Sequence, residues 1–310
     1  MTLEIKLSVI LCAYNPNREI FEQVITSLKA QTLSFEQWEL IIIDNNSSEP
    51  ISSWLNLDWH PKAKIIFEAK PGLIYARVRG TLESKNNCLI SVDDDTPLFN
   101  DYLEKAFSIF SSDPQLGIIG GKSIPIFLEK PPKWISEFYG LLAIRDLGNE
   151  DIIQQTEGKE ITSYPMCAPL LIAPRKKCME EYLAFFKISS ISQNLGRKGN
   201  ELTSGEDNDI NMFIFSQGYK IGYFHSLKFY HIIPPFRTKK NYLANMAFQS
   251  SRSWVKMLTN HKINPWKKIN RITLLPRQAK AYLTYKAWKN TPNYIKWRGA
   301  CGLFKGLSEL

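Results

Sequence analysis

The first 125 residues alternate short apolar runs with stretches of helical periodicity, and this alternation limits the fold more than any other feature. The apolar runs lie at 7–12, 40–43, 63–67 and 88–92, and the helical periodicity lies at 20–31, 73–85 and 101–112. Short buried strands joined through helices need crossover connections, which give a mostly parallel sheet covered on both faces. The sequence therefore predicts an α/β fold, with a mostly parallel central sheet flanked by helices.

Polar residues follow three of these predicted strands where each strand ends. The three segments are Ala13-Tyr14-Asn15, Asp44-Asn45-Asn46-Ser47-Ser48 and Asp93-Asp94-Asp95. Ligands of parallel sheets bind beyond the carboxyl ends of the strands, so the three segments are expected to meet in one crevice. No G-x-G-x-x-G follows the first strand and no G-x-x-x-x-G-K-[ST] occurs in the chain. This argues against an ordinary dinucleotide-binding domain and against a P-loop.

The three consecutive aspartates, Asp93, Asp94 and Asp95, are the sharpest chemical feature of the chain. Like charges this close repel each other, and they are tolerated mainly where a divalent cation or several hydrogen-bond donors compensate them. Carboxylate oxygens suit Mg²⁺ or Mn²⁺, so a divalent cation is the predicted cofactor. A solvated acidic turn that caps the next element is the alternative interpretation.

A second acidic cluster, formed by Glu206, Asp207 and Asp209, stands at the start of a predicted helix with an N-cap near Thr203-Ser204. The helix dipole alone favours negative charge at this position. A catalytic role therefore requires that one of these carboxylates face the same crevice as Asp93–Asp95.

Two further features offer groups for anions or metals. Arg77 and Arg79 follow the glycine entry at Gly72 on a predicted helix, where they would make charge-assisted contacts to phosphates or to the aspartates. His231 follows an apolar segment, and its neutral imidazole would complete an oxygen-rich metal site. An ordinary surface helix and a structural histidine are the respective alternatives.

Charge is divided unequally along the chain. Residues 219–310 hold 18 Lys and Arg and a single acid, Glu309, whereas residues 1–218 carry a net charge of −8. Helices are predicted in this basic part at 242–259 and 276–290, after a strand at 220–224 and a separate apolar segment at 229–231. Because 16 aromatic residues follow Gly218, the basic part suits nucleic acid or an anionic membrane surface. Helices that pack on the rest of the protein, or that bind an anionic acceptor, are the alternatives.

The cysteines and the N-terminus indicate a cytoplasmic protein. Five widely spaced cysteines without a C-x-x-C pair argue against a disulfide framework and against a zinc ribbon. The apolar run near the N-terminus is short and follows Glu4, so it is interpreted as a first strand and not as a signal peptide. No window approaches the roughly 20 apolar residues that cross a bilayer. Contact with a membrane would therefore be peripheral, at the inner face of the cell membrane.

In chain order, these motifs resemble those of the family 2 glycosyltransferases of GT-A fold. The matching segments are Ser8-Val9-Ile10-Leu11-Cys12-Ala13-Tyr14-Asn15, Ile41-Ile42-Ile43-Asp44-Asn45-Asn46-Ser47-Ser48, Gly72 with Ala76-Arg77, Val92-Asp93-Asp94-Asp95-Thr96 and Gly205-Glu206-Asp207-Asn208-Asp209. They span about residues 1–235. The resemblance implies a metal-assisted, inverting transfer of a sugar from a nucleoside-diphosphate sugar, with UDP as the expected nucleotide. The acceptor would be a hydroxyl group of a glycan or of a lipid-linked molecule, in the synthesis of cell-envelope polysaccharide.

The same resemblance assigns roles to residues. It implies that Asp95 and His231 bind Mn²⁺ or Mg²⁺. It also implies that Glu206 and Asp207 are catalytic, with Asp207 as the base. The residues that it implies for binding the nucleotide sugar are Ala13, Tyr14, Asn15, Asp44, Asn46, Gly72, Arg77, Asp93 and Asp94. Val78 stands where the family has asparagine, which leaves Arg79 as a substitute for part of the site.

The predicted division of the chain is a GT-A catalytic domain at 1–240 and a basic, aromatic helical extension at 241–310. The catalytic domain would comprise a nucleotide-binding half (1–125) and an acceptor half (126–240). A nucleotidyltransferase that acts on sugar phosphates is the alternative enzyme, although it would need an early glycine- and lysine-rich loop that 14–18 do not supply. A nucleic-acid-binding protein is the alternative from another class.

Overall fold

The chain alternates strands and helices in its first half and ends in three successive helices. The structure is a computed structural model that describes residues 6–156, 158, 160–196 and 205–310. Its strands are β1 (Leu7–Ala13), β2 (Trp38–Asp44), β3 (Ala63–Phe67), β4 (Cys88–Asp93), β5 (Leu116–Phe127), β6 (Ile152–Gln154), β7 (Ala173–Pro174) and β8 (Lys220–Ile233). Its α-helices are α1 (Arg18–Lys29), α2 (Leu73–Glu83), α3 (Tyr102–Ser112), α4 (Lys176–Ile188), α5 (Glu206–Ser216), α6 (Lys240–Asn260), α7 (Leu274–Thr284) and α8 (Thr291–Glu309).

The first sheet is fully parallel, with the strand order β3-β2-β1-β4. Every residue of β1 and β2 is buried, because helices cover both faces. Alternate residues of β1 face opposite sides of the sheet. Val9 and Leu11 pack in the cluster that contains α1 and α3, and Ile10 packs in the cluster that contains α2 and α4. The predicted parallel α/β sheet is therefore confirmed.

The carboxyl ends of the central strands lie level with one another. Ala13 pairs with Asp44 across β1 and β2, and Cys12 pairs with Asp93 across β1 and β4. The three polar segments that follow these strands therefore leave the sheet along one edge. This arrangement brings the loop residues and the aspartates to one side of the molecule, as the sequence predicted.

The second sheet continues the first, with the strand order β6-β8-β5-β7. The amide of Ser91 in β4 donates to the carbonyl oxygen of Ile172 at 3.1 Å, which links the two sheets. Strand β8 is continuous over Lys220–Ile233, so the prediction of a strand at 220–224 with a separate segment at 229–231 was wrong. The register of the pairing between β8 and β5 shifts between Phe224 and Lys228, and this irregularity interrupts the apolar pattern of β8. The continuous strand carries His231 to the aspartates, since the amide of Ile232 donates to the Asp95 carbonyl oxygen at 2.9 Å.

The basic C-terminal part forms three helices that pack on the rest of the protein. Met257 and Leu258 of α6 join the buried cluster that contains α2, α4 and α5. The helix predicted at 242–259 is confirmed as α6, but the helix predicted at 276–290 was wrong in its second half. Helix α7 ends at Thr284, and Lys286 then adopts a left-handed conformation with φ 49°. None of the helices within the described residues is long and apolar enough to cross a membrane.

The single acid of the basic part joins two of these helices. The Glu309 carboxylate accepts hydrogen bonds from Arg252 Nε and Nη2, each at 2.8 Å, and lies 3.0 Å from Lys256 Nζ. Burial alone would raise the pKa of Glu309, but the hydrogen bonds from Arg252 and Lys256 lower it to about 2. The C-terminal end of α8 is thereby held against α6, and part of the positive charge of this region is neutralised.

Helices α6 and α8 lie too close together at Gly302 to admit a side chain, which gives a prediction. A Cβ atom at Gly302 would lie 2.0 Å from the carbonyl oxygen of Phe248, so a side chain would force the two helices apart. We expect Gly302→Ala to lower the free energy of unfolding by about 1–3 kcal/mol, the usual cost of overpacking. Urea denaturation measures the change.

Gly299, one turn earlier on α8, provides the matched control. A Cβ atom there would lie 3.5 Å from Ser251 Oγ, which is an ordinary contact. Alanine is favoured over glycine inside a helix by about 0.5–1 kcal/mol, so Gly299→Ala should leave stability unchanged or raise it. Equal stability of the two variants would contradict the close helix contact.

Candidate active site

A buried arginine joins the two acidic clusters. Arg77 on α2 is 2% exposed, and its Nη1 donates to Glu206 Oε1 at 2.7 Å and also to Asp207. Its Nη2 lies 3.5 Å from Asp93 Oδ1. Burial alone would lower the pKa of Arg77, but the carboxylates of Asp207, Glu206 and Asp93 raise it above its ordinary value. The convergence that a catalytic role required is therefore present.

The neighbouring Arg79 does not share this position. Its Nε lies 3.0 Å from Glu83 Oε1 on the same helix, and its side chain is 39% exposed. The buried face of α2 instead contains Arg77, together with Gly80, whose Cβ would lie 2.3 Å from Ile10 Cγ2. Helix α2 therefore presents Arg77, and not Arg79, to the acidic groups.

Gly72 begins α2 in a conformation that suits glycine. Its φ is 128°, and its amide donates to Asn45 Oδ1 at 2.8 Å. The Asn45 side-chain amide also donates to the carbonyl oxygen of Lys70 at 2.7 Å. Asn45 thus ties the loop after β2 to the start of α2, a role that the sequence analysis did not assign although Asn45 lies within the second polar segment.

The Asp44 carboxylate organises the loop that follows β2. It is 2% exposed, and its two oxygens accept hydrogen bonds from the amides of Ser47 and Ile51, each at 2.9 Å. Asn46, inside this loop, is exposed and has a positive φ of 66°. Asp44 therefore holds the loop in shape, and Asn46 lies on its solvent side.

The loop that follows β1 is joined to the same segment. Asn15 Oδ1 accepts hydrogen bonds from the amide and the hydroxyl of Ser48, each at 2.9 Å, and the Asn15 amide donates to Ser47 Oγ. Ala13 is buried in the sheet, whereas Tyr14 is 61% exposed. The two loops form one connected rim, from which the Tyr14 ring is available to a ligand.

The three consecutive aspartates differ in their surroundings. Asp93 faces Arg77, and its amide donates to Thr96 Oγ1 at 3.0 Å. Burial, together with the neighbouring carboxylates of Asp95 and Asp93, raises the pKa of Asp94 to about 8. Such crowding of carboxylates favours the binding of a cation at this strand end.

Asp95 and His231 face each other across an arginine. Asp95 Oδ2 lies 3.6 Å from His231 Nε2, and Arg237 Nη1 lies 3.0 Å from each of these two atoms. A guanidinium only donates hydrogen bonds, so Nε2 of the 6% exposed His231 accepts the one from Arg237. Its Nδ1 has no hydrogen-bond partner among the described residues. Sequence reasoning missed Arg237, although it lies six residues after His231 in the run Arg237-Thr238-Lys239-Lys240.

These side chains fit a divalent cation. A carboxylate oxygen and an unprotonated imidazole nitrogen 3.6 Å apart suit two neighbouring ligands of one ion. Within the part of the chain that the structure describes, no group of three or more His, Cys, Asp or Glu residues forms a metal site. The remaining ligands would therefore be substrate oxygens and water, as is usual for ions that bind between a protein and a diphosphate.

The three acids at the start of α5 have separate roles. Asp209 is fully buried and accepts hydrogen bonds from Tyr182 Oη at 2.9 Å and from Asn260 Nδ2 at 3.2 Å. Glu206 is 5% exposed and faces Arg77, whereas the Asp207 side chain is 35% exposed. Of these three acids, Asp207 is the most exposed. The N-cap of α5 is Gly205, and the predicted N-cap at Thr203-Ser204 lies outside the described residues.

Comparison with known proteins agrees with this geometry. Residues 8–171 match the family model described as Glycosyl transferase family 2. The chain is 22% identical over 252 residues to the glucosyl-dolichyl phosphate glucuronosyltransferase of Haloferax volcanii, a match that covers 78% of this chain and 74% of that protein. The crystal structure of S. aureus TarS 1-349 is similar with a TM-score of 0.53 at 12% identity, covering 98% of this chain and 90% of that one. The same protein in complex with UDP is similar with a TM-score of 0.51 at 12% identity, with the same coverage.

The fold and the site define a glycosyltransferase of GT-A fold. The chain belongs to glycosyl transferase family 2. Of the two enzyme classes that the sequence left open, the family match selects the glycosyltransferase over the nucleotidyltransferase.

Proposed function

We propose that the protein is a metal-assisted, inverting glycosyltransferase that transfers a sugar from a UDP-sugar to a hydroxyl group of a glycan or lipid-linked acceptor. The observation that carries this proposal is the contact of one buried cation, Arg77, with both Asp207 and Asp93. The proposed base and the donor-side carboxylates thereby lie in a single site. The TarS structures in complex with UDP and with UDP-GlcNAc support UDP as the nucleotide.

In the proposed reaction, the acceptor oxygen forms a bond to the anomeric carbon as the bond from that carbon to the diphosphate breaks. The electron pair leaves with UDP, and the acceptor proton passes to an oxygen of Asp207. A divalent cation held by Asp95 and His231 would act as a Lewis acid that stabilises the departing diphosphate. Arg77 orients Asp207 through its ion pair. Glu206 is held by Arg77 and Asp209 is fully buried, so direct displacement with inversion is favoured over a covalent intermediate.

The nucleotide-binding role of the strand-end residues remains part of this proposal. The residues concerned are Ala13, Tyr14, Asn15, Asp44, Asn46, Gly72, Arg77, Asp93 and Asp94. The exposed Tyr14 and Asn46 would contact the nucleotide directly, whereas Asp44 and Asn15 would act by holding the two loops together. The division into a nucleotide-binding half at 1–125 and an acceptor half at 126–240 belongs to the same proposal.

Donor binding and UDP release test the proposal. We expect a UDP-sugar with Mn²⁺ to stabilise the protein by about 2.7 kcal/mol at a hundredfold excess over its dissociation constant, measured by thermal denaturation. GDP- and dTDP-sugars serve as controls for the nucleotide. Absence of both a thermal shift and UDP release, over a broad panel of donors with glycan and lipid-linked acceptors, would overturn the proposal.

The position of Arg237 gives a prediction about the metal. Its guanidinium lies between Asp95 and His231 and must move before an ion can bind to both. We expect Arg237→Ala to raise the affinity for Mn²⁺ without nucleotide by about tenfold, or about 1.4 kcal/mol. Electron paramagnetic resonance of free Mn²⁺ measures the binding. Lys239→Ala removes an exposed cation nearby and is the control; unchanged or weaker binding to the Arg237 variant would contradict the prediction.

We also propose that the basic helices contact the inner face of the membrane, where cell-envelope polysaccharide precursors would be used. Ile272, Leu275, Leu283 and Trp288 are between 58% and 84% exposed among the lysines and arginines of this region. Such a surface suits anionic lipid headgroups. Because Met257 and Leu258 are buried in the core, a truncation near residue 240 would damage the fold, and point variants are the better test.

Co-sedimentation with vesicles tests this contact. The full chain should sediment with phosphatidylglycerol vesicles and much less with phosphatidylcholine vesicles. Leu275→Ser with Leu283→Ser should weaken the binding, whereas Leu82→Ser, which changes a 63% exposed leucine on α2, should not. Equal binding by all the proteins would remove the membrane contact from the proposal.

A further inference from the structure

A large cavity connects the proposed base with the C-terminal helices. Its volume is about 940 Å³, and its walls include Asp207 at the start of α5, Trp254 of α6 and Leu303 and Phe304 of α8. This volume lies at the upper end of the range for small-molecule sites. The base therefore faces a space that the C-terminal helices help to enclose.

The cavity combines apolar walls with basic side chains. Arg277 and Lys280 of α7 and Lys296 of α8 line it. Lys296 Nζ is paired with Glu137 Oε2 at 2.6 Å. Neither Arg277 nor Lys280 has a carboxylate of the described residues within 4.0 Å. Two cations beside apolar walls are therefore available to an anionic ligand.

We propose that this cavity is the acceptor site and that it binds a sugar linked through phosphate to a long hydrocarbon chain. This inference rests on the proposed function, because it takes Asp207 as the base. The hydrocarbon would lie against Trp254, Leu303 and Phe304, and the phosphate would pair with Arg277 and Lys280. The C–H faces of sugar rings would cover only part of these walls, whereas a hydrocarbon chain and a phosphate would use both the apolar walls and the two cations, so the cavity favours the lipid-linked class of acceptor.

The outer surface of α7 agrees with this assignment. The helix that carries Arg277 and Lys280 also exposes Leu275 and Leu283, which are 75% and 65% exposed. One helix would thus contact both the phosphate of the acceptor and the lipid surface in which its hydrocarbon chain is held.

Binding of farnesyl phosphate, used below its critical micelle concentration, tests the proposal by calorimetry on the full chain. We expect farnesyl phosphate to bind at least about tenfold more tightly than farnesol or inorganic phosphate, since tenfold corresponds to about 1.4 kcal/mol. Arg277→Gln with Lys280→Gln should remove this preference over farnesol. The matched control, Lys268→Gln with Lys289→Gln, removes two cations that do not line the cavity.

A variant that fills the cavity gives a second measurement. Ala300→Trp places a large side chain on the wall formed by α8 and should abolish farnesyl phosphate binding, while UDP binding is retained.

Binding that neither set of substitutions changes would overturn the assignment of the cavity. If transfer to a soluble glycan occurs but farnesyl phosphate does not bind, the acceptor proposal fails and the proposed function stands. If farnesyl phosphate binds as expected but no nucleotide sugar does, the proposed function fails.

Discussion

Replacing Asp207 by asparagine is expected to lower the rate of sugar transfer by about 10²–10⁴-fold, which is the usual contribution of a positioned general base. The amide has the size of the carboxylate and stays at the same place on α5, but it cannot take a proton from the acceptor hydroxyl. The Asp207 side chain lines the cavity that we propose for the acceptor and is 35% exposed, so its loss should act on kcat more than on the binding of UDP. Steady-state kinetics together with UDP titration separate these two effects.

Asp151→Asn is the control for this variant. Asp151 is an exposed carboxylate that pairs with His225 Nδ1 at 2.7 Å and does not line the cavity that Asp207 lines, so its loss should leave kcat unchanged. Thermal denaturation of both variants shows whether each one is folded. Wild-type activity of Asp207→Asn would exclude Asp207 as the base and would leave the Arg77 network as a structural feature.

The parallel sheet was predictable because its signal is local. Each apolar run from 7 to 92 sets its own strand, and the ends of parallel strands meet at one edge without any need to know the loops. The convergence of the polar segments after β1, β2 and β4 follows from this rule. In the structure, the strand ends lie level because Ala13 pairs with Asp44 and Cys12 pairs with Asp93.

The choice between Arg77 and Arg79 was open because it depends on the side of α2 that faces the sheet. A signal was present in the sequence, since Ile74, Arg77, Gly80 and Thr81 recur at helical spacing and form the buried face. The sequence offered the aspartates as partners of Arg77, but the contact with Glu206, which lies 129 residues away, could not be predicted. Contacts of this kind depend on how the whole chain packs.

The position of Arg237 and the break between α7 and α8 also could not be predicted from the pattern of the sequence. Arg237 reaches Asp95 only because β8 and the turn after it return to the end of β4. The break after Thr284 depends on the left-handed conformation of Lys286, a residue that ordinarily favours a helix. Both features arise from tertiary packing, which overrides local preference.

Replacing Arg77 by methionine is expected to lower the free energy of unfolding by about 3–5 kcal/mol, the usual cost of breaking a buried ion pair by removing one partner. Methionine fills much of the volume but leaves Glu206, which is 5% exposed, without the cation that it faces. Asp207 and Asp93 would repel each other and Glu206 at the same site. The variant should therefore lose both stability and transfer activity, measured by urea denaturation and by UDP release.

Arg79→Met is the matched control, since it changes the same residue type two positions away on the same helix. The Arg79 pair with Glu83 is exposed, and pairs of this kind contribute about 0–1 kcal/mol. If the loss of unfolding free energy is small at Arg79 and large at Arg77, the cost comes from the buried acidic groups that Arg77 contacts. It does not come simply from removing an arginine from α2. Equally small losses of stability at the two positions would mean that Arg77 is dispensable to the site. The placement of Asp207 beside Asp93 would then need another cause, because no other basic side chain of the described residues forms an ion pair with either of them.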